Sequence, residues 1–197
     1  MGQTIIFLLT FTCFAAADVP SPDERRLIVE THAKIREIVN PSASDMKLMK
    51  YSEELEQQAE KSLSECIVDE YSVTAYSNNT TQNLRIFFDE KPTYVDMVTV
   101  SSIEAQNYDY DANTCADECT EYKRIVWADS TRVGCAMHKC GYSDPERSKP
   151  IYSVICQYDP IERIEKRRPY IKGPSCGMCP PGYECLQNQC AEIVAAL

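Results

Sequence analysis

Apolar positions settle into a helical rhythm soon after position 20. Ser21-Pro22-Asp23-Glu24 has the form of a helix start, with Ser21 as the cap, Pro22 in the first turn and Glu24 closing a reciprocal cap. Ile28, His32, Ile35 and Val39 then recur at helical spacing and share one face, until Pro41, just past Asn40, stops the helix. A second helix is predicted from Ser52, turning Leu55, Ala59, Leu63 and Cys66 inward. Between Thr93 and Tyr108 the β-branched residues leave helix and strand both open, and Glu121 to Ala128 reads as a short helix. The period then drops to two. Val133, Cys135 and Met137 alternate within a strand from Arg132 to Lys139, and Tyr152, Val154, Cys156 and Tyr158 do so from Ile151 to Tyr158. Gly141 to Pro150 is the loop between them. Helices flanking an antiparallel sheet predict an α+β layered domain.

The two ends of the chain follow other patterns. Ile5 to Ala17 is apolar and uncharged and ends in Ala15-Ala16-Ala17, the form of a secretory leader cleaved after Ala17. It falls short of the ~20 residues that span a bilayer, and no other apolar run approaches that length. The expected organisation is therefore a leader over 1–17, a folded domain over 18–168 and a tail over 169–197. In the tail, Gly173-Pro174 and Pro180-Pro181-Gly182 break up a stretch holding Cys176, Cys179, Cys185 and Cys190, so cross-links must hold what a core cannot.

Cysteine and charge narrow the class further. Of 11 cysteines, Cys13 lies in the leader, leaving an even number for an oxidising compartment, where full pairing is the default. The protein is expected to be secreted and extracellular. Asn78-Asn79-Thr80-Thr81 offers overlapping glycosylation sequons at Asn78 and Asn79, of which one at most would be occupied. A formal charge of −10 argues against nucleic acid or anionic membrane as a partner. The basic run Arg163 to Arg168 reads as a solvated linker.

Several segments, in order, resemble the CAP superfamily of cysteine-rich secretory, antigen 5 and pathogenesis-related proteins. They are His32-Ala33-Lys34-Ile35-Arg36, Met49-Lys50-Tyr51-Ser52 through Ala59, Glu121-Tyr122-Lys123-Arg124-Ile125-Val126-Trp127-Ala128 with Arg132-Val133-Gly134-Cys135, and Ile155-Cys156-Gln157-Tyr158-Asp159-Pro160. The pattern is most similar to the venom allergen-like proteins of parasitic worms. The resemblance implies an α-β-α sandwich with a short disulfide-rich, hinge-like C-terminal extension. It also implies the pairs Cys66–Cys140, Cys115–Cys119, Cys135–Cys156, Cys176–Cys185 and Cys179–Cys190. The first would close a loop of about 75 residues, a constraint of roughly 4–5 kcal/mol in the chain-entropy account. A zinc knuckle is the other reading of the four tail thiols, and secretion disfavours it.

Many relatives carry two His and two Glu around a cavity that can hold zinc. By position these fall here on Glu70, Gln82, Glu104 and Glu121, so a single glutamate, Glu104, is kept. Zinc prefers imidazole and thiolate, and the chain has two histidines, His32 and His138, neither at a cavity position. Carboxylates converging without a cation would repel, and an oxygen-only set would suit calcium or magnesium instead. The expectation is a degenerate cavity with no metal, no cofactor and no enzymatic activity. Relatives bind sterols through an aromatic loop and fatty acids between helices. The resemblance thus points to lipid binding, with Tyr108 and Tyr110 in the loop and Ile28 and Ile35 on the first helix as candidates. The alternative is an extracellular protein-interaction module.

Overall fold

The computed structural model describes residues 17–63, 66, 81–140, 149–160, 164 and 166–193. Helix α1 covers Pro22–Glu37, and its start is the predicted capping box, with Ser21 and Glu24 satisfying each other's backbone amides. Strand β1 (Lys50–Tyr51) leads into α2 (Glu53–Ser62), capped by Ser52. Strand β2 (Gln82–Phe88) follows, then α3 (Tyr94–Ser102), which a second capping box between Thr93 and Asp96 begins. A 3₁₀ turn, Ile103–Asn107, continues α3, which resolves the mixed Thr93–Tyr108 pattern. The short strands β3 (Tyr108–Asp109) and β4 (Thr114–Cys115) precede α4 (Thr120–Ile125). Strands β5 (Arg132–Cys140) and β6 (Ile151–Asp159) match the predicted pair within one residue at their ends. The hairpin β7 (Tyr183–Leu186) and β8 (Gln189–Glu192) lies in the tail.

The main sheet has the order β1-β5-β6-β2, with β5 antiparallel to β6, β6 antiparallel to β2, and β1 parallel to β5. Alternation along the strands sorts side chains to two faces. Val133, Cys135, Met137, Val154, Cys156 and Tyr158 join Ile28, Met97 and Ile125 from the helices in the larger core. On the other face Leu84, Ala136 and Ile155 pack with Ala59 of α2 and with Leu63 at its C-terminal cap. The sheet is therefore sandwiched between α2 and the layer of α1, α3 and α4. Gly134 explains how closely α2 sits. A Cβ there would lie 2.5 Å from Ser52 O and closer still to the Glu56 amide nitrogen. Only a residue without a side chain permits that approach.

All five expected disulfides are present: Cys66–Cys140, Cys115–Cys119, Cys135–Cys156, Cys176–Cys185 and Cys179–Cys190. Cys135 and Cys156 stand directly opposite each other in the β5–β6 register. The tail is more than a cross-linked appendage. The Cys190 amide donates to Met46 O (2.6 Å), the Leu48 amide donates to Cys190 O (2.8 Å), and Gln189 Nε2 donates to Ala33 O (3.1 Å). Cys190 and Ala191 are buried. The extension is thus docked along the segment between α1 and β1, where a free hinge would stand away from it. Asn78 and Asn79 lie outside the described residues.

Candidate functional site

Strand β2 carries the central feature, and the hydrophobic pattern did not predict that strand. Its alternation sends Gln82 and Leu84 toward α2, and Asn83 and Arg85 toward the helices on the opposite face. Gln82 Oε1 accepts from Gln157 Nε2 (2.7 Å), which also reaches Ser62 Oγ at the end of α2 (3.5 Å). Gln82 therefore does not share a cavity with Glu104 and Glu121, contrary to the positional expectation, because its strand phase puts it on the other side of the sheet. Glu70 lies outside the described residues.

Glu104 and Glu121 do come together, and Arg85 sits between them. Its Nε donates to Glu121 Oε2 (2.6 Å), and its Nη2 pairs with Glu104 Oε1. The second Glu104 oxygen accepts the backbone amides of Glu121 (3.0 Å) and Tyr122 (3.2 Å). Cys119, at the start of α4, makes no side-chain cap, so Glu104 caps that helix from another element. Glu121 Oε2 also accepts from the buried Ser101 Oγ (2.7 Å). The carboxylates are nearly enclosed, with side chains 12% and 10% exposed, against 32% for Arg85. Burial pushes the Glu104 carboxyl above its ordinary range, the Glu121 charge adds to this, and the Arg85 charge opposes it. The repulsion expected between bare carboxylates is thus compensated from within the chain.

This donor set does not fit zinc. His32 is fully buried on α1, its Nδ1 bonded to Ile28 O (2.7 Å) and its Nε2 facing the Tyr158 hydroxyl (3.2 Å). His138 is on β5, opposite the buried Ser153. The ten cysteines of the described residues are all in disulfides. Among the described residues no three His, Cys, Asp or Glu side chains gather as a metal group would require. The missed residue was Arg85. An arginine set directly among the apolar Leu84, Ile86, Phe87 and Phe88 needs a partner for its charge, and that was the available signal.

A second feature lies at the Tyr108–Cys119 loop. A cleft of about 510 Å³ is lined by Tyr108 and Tyr110 together with Asn40, Gln106, Asn107 and Lys172 among others. Both tyrosine hydroxyls are engaged inside the protein. Tyr108 donates to Asn113 Oδ1 (2.8 Å), and Tyr110 donates to Tyr170 O (2.7 Å) while stacking on the Tyr170 ring. Arg168 fastens the loop from outside, donating to Tyr110 O (2.9 Å) and Asp111 O (2.6 Å). Arg167 lies over the Trp127 ring. These two residues of the basic run are exposed, as a solvated linker would be, and they also tie the linker to the loop and to Trp127, which that reading did not include. Ile28 is wholly buried in the core, and Ile35 packs against it half-buried. Ile28 thus offers a ligand no surface, because its helix face is the one laid on the sheet.

The family model described as the cysteine-rich secretory protein family, CAP, matches residues 29–158. Human peptidase inhibitor 16 is 31% identical over 173 residues, covering 87% of this chain and 37% of its own. Human GLIPR1-like protein 1 is 28% identical over 193 residues, covering 92% of this chain and 78% of its own. The chain thus spans about a third of the length of the peptidase inhibitor 16 relatives. Among solved structures, the hookworm platelet inhibitor is similar with a TM-score of 0.66 at 20% identity, covering 91% of this chain and 96% of its own. The Schistosoma mansoni venom allergen-like protein 4 gives 0.56 at 22%, covering 78% and 97%. At those identities the structures speak for the fold. With the matched segment running from α1 to β6 and the sandwich and its disulfides in place, the chain belongs to the cysteine-rich secretory protein (CAP) family.

Proposed function

We propose that this is an extracellular, non-catalytic binding module that holds a polar segment of a partner protein in the Tyr108–Tyr110 cleft. Five disulfides suit an oxidising exterior. The observation that carries the reading is preorganisation. The cleft wall is fastened by the Cys115–Cys119 disulfide, by Tyr110 on Tyr170, and by Arg168 on two loop carbonyls. A wall ordered in advance loses little entropy on binding. Its amide and charged lining, from Asn40, Gln106, Asn107, Asp109, Asp111 and Lys172, matches a peptide surface better than a hydrocarbon one.

Lipid binding is the second reading, supported by the rings of Tyr108 and Tyr110 beside Pro41. It is the weaker of the two because the tyrosine hydroxyls that would greet a sterol already have partners. Panning a displayed peptide library against the full chain, beside titrations of labelled cholesterol and palmitate, separates the two. Selected peptides should lose tenfold or more in affinity for Asn107→Arg, and neither lipid should saturate. Saturable lipid binding lost in Tyr108→Ala, with no peptide sensitive to the cleft variant, would overturn the proposal in favour of the lipid.

A further inference from the structure

We infer that Arg85 is the resident cation of the Glu104–Glu121 cavity, standing where a divalent ion would have to sit and making this CAP domain independent of metal. One guanidinium meets two carboxylates from two other elements, using Nε for Glu121 and Nη2 for Glu104. It joins β2 to the turn after α3 and to the start of α4, the kind of cross-tie a coordinated ion makes. The fork geometry lets one side chain reach both acids, which a lysine ammonium would do less well.

A divalent ion placed between the same acids would face the fixed positive charge at contact distance. Three of the four carboxylate oxygens are also committed. Glu104 Oε2 receives two backbone amides, and Glu121 Oε2 receives Ser101 Oγ as well as Arg85 Nε. Among the described residues, zinc lacks its nitrogen and sulfur donors here, and calcium its usual six to eight oxygens. The exchange of metal for arginine removes a Lewis acid from the cavity and leaves a cross-link that neither chelators nor metal supply can change.

Calorimetric titration of the full chain with Zn²⁺, Mn²⁺ and Ca²⁺ at pH 7, in parallel with Glu104→Gln, tests this. The expected result is no binding event that Glu104→Gln weakens. One ion bound per chain, with affinity falling tenfold or more in Glu104→Gln, would overturn the inference. In a second arm, Arg85→Ala, checked for native circular dichroism, should bind Mn²⁺ at least tenfold more tightly than the unaltered protein, and adding Glu104→Gln should abolish the gain. Equal Mn²⁺ affinity with and without Arg85 would refute the claim that the guanidinium keeps the ion out. Should Arg85→Ala fail to fold, the first arm decides alone.

Discussion

Replacing Arg85 with methionine keeps most of the side chain's length and removes its charge, leaving Glu104 and Glu121 facing each other. Their side chains are 12% and 10% exposed, so solvent can do little to screen them. Breaking a buried pair by removing one partner costs about 3–5 kcal/mol. The one-third exposure of Arg85 calls for a discount, which brings the expected loss to about 2–3 kcal/mol at pH 7. At an ordinary urea slope this lowers the unfolding midpoint by about 1 M. The loss should also depend on pH, with a definite sign. Arg85 lowers the Glu104 pKa, while burial and Glu121 raise it. Without Arg85 the folded carboxyl lies still further above its unfolded value, so the folded state holds the proton more tightly. Stability of the variant then rises as pH falls below the folded value, and the gap to the unaltered protein narrows between pH 7 and pH 5. Urea midpoints at both pH values measure this. An equal loss at pH 7 and pH 5 would refute the electrostatic account and reduce Arg85 to a packing residue.

Gly134→Ala should destabilise by about 3 kcal/mol or more, because backbone atoms of α2 surround the site and no flexible side chain can yield; thermal unfolding reads it. Arg36→Lys should cost about 3 kcal/mol in urea unfolding, since one ammonium cannot replace a fork donating to Ile125 O (2.8 Å), Trp127 O (2.9 Å) and Lys47 O (2.6 Å). Burial holds His32 down at about 4 from its ordinary 6.5, so the folded state resists the proton that the unfolded chain accepts. Stability is therefore fully present above pH 6.5 and lost as pH falls toward 4, by about 3 kcal/mol for this group, and His32→Phe should flatten that part of the profile.

Where side-chain chemistry and burial agreed, the fold was legible. The Ser21 and Ser52 caps, the α1 face and the alternation of Val133-Cys135-Met137 against Tyr152-Val154-Cys156 all place one kind of residue inside. Strand β2 was missed because Gln82, Asn83 and Arg85 are polar yet inward-facing, satisfied by Gln157, the Glu121 carbonyl and the paired acids. An apolar-in, polar-out pattern cannot register such a strand. The cavity was half legible for the same reason. Glu104 and Glu121 could be placed by resemblance, but their cation came from a residue outside the matched positions. The docking of the tail was hidden as well, since Gln189 and Cys190 are held largely through backbone carbonyls and amides, which leave no mark on the sequence.

Whether Arg85 has taken over the cavity's cation can be read from the metal content of the protein. Elemental analysis of the full chain, purified without chelators from medium supplemented with zinc and manganese, should find less than about a tenth of an equivalent of either metal per chain. A full equivalent that disappears when Glu104→Gln is purified in the same way would mean that a metal, and not Arg85, holds the two acids together.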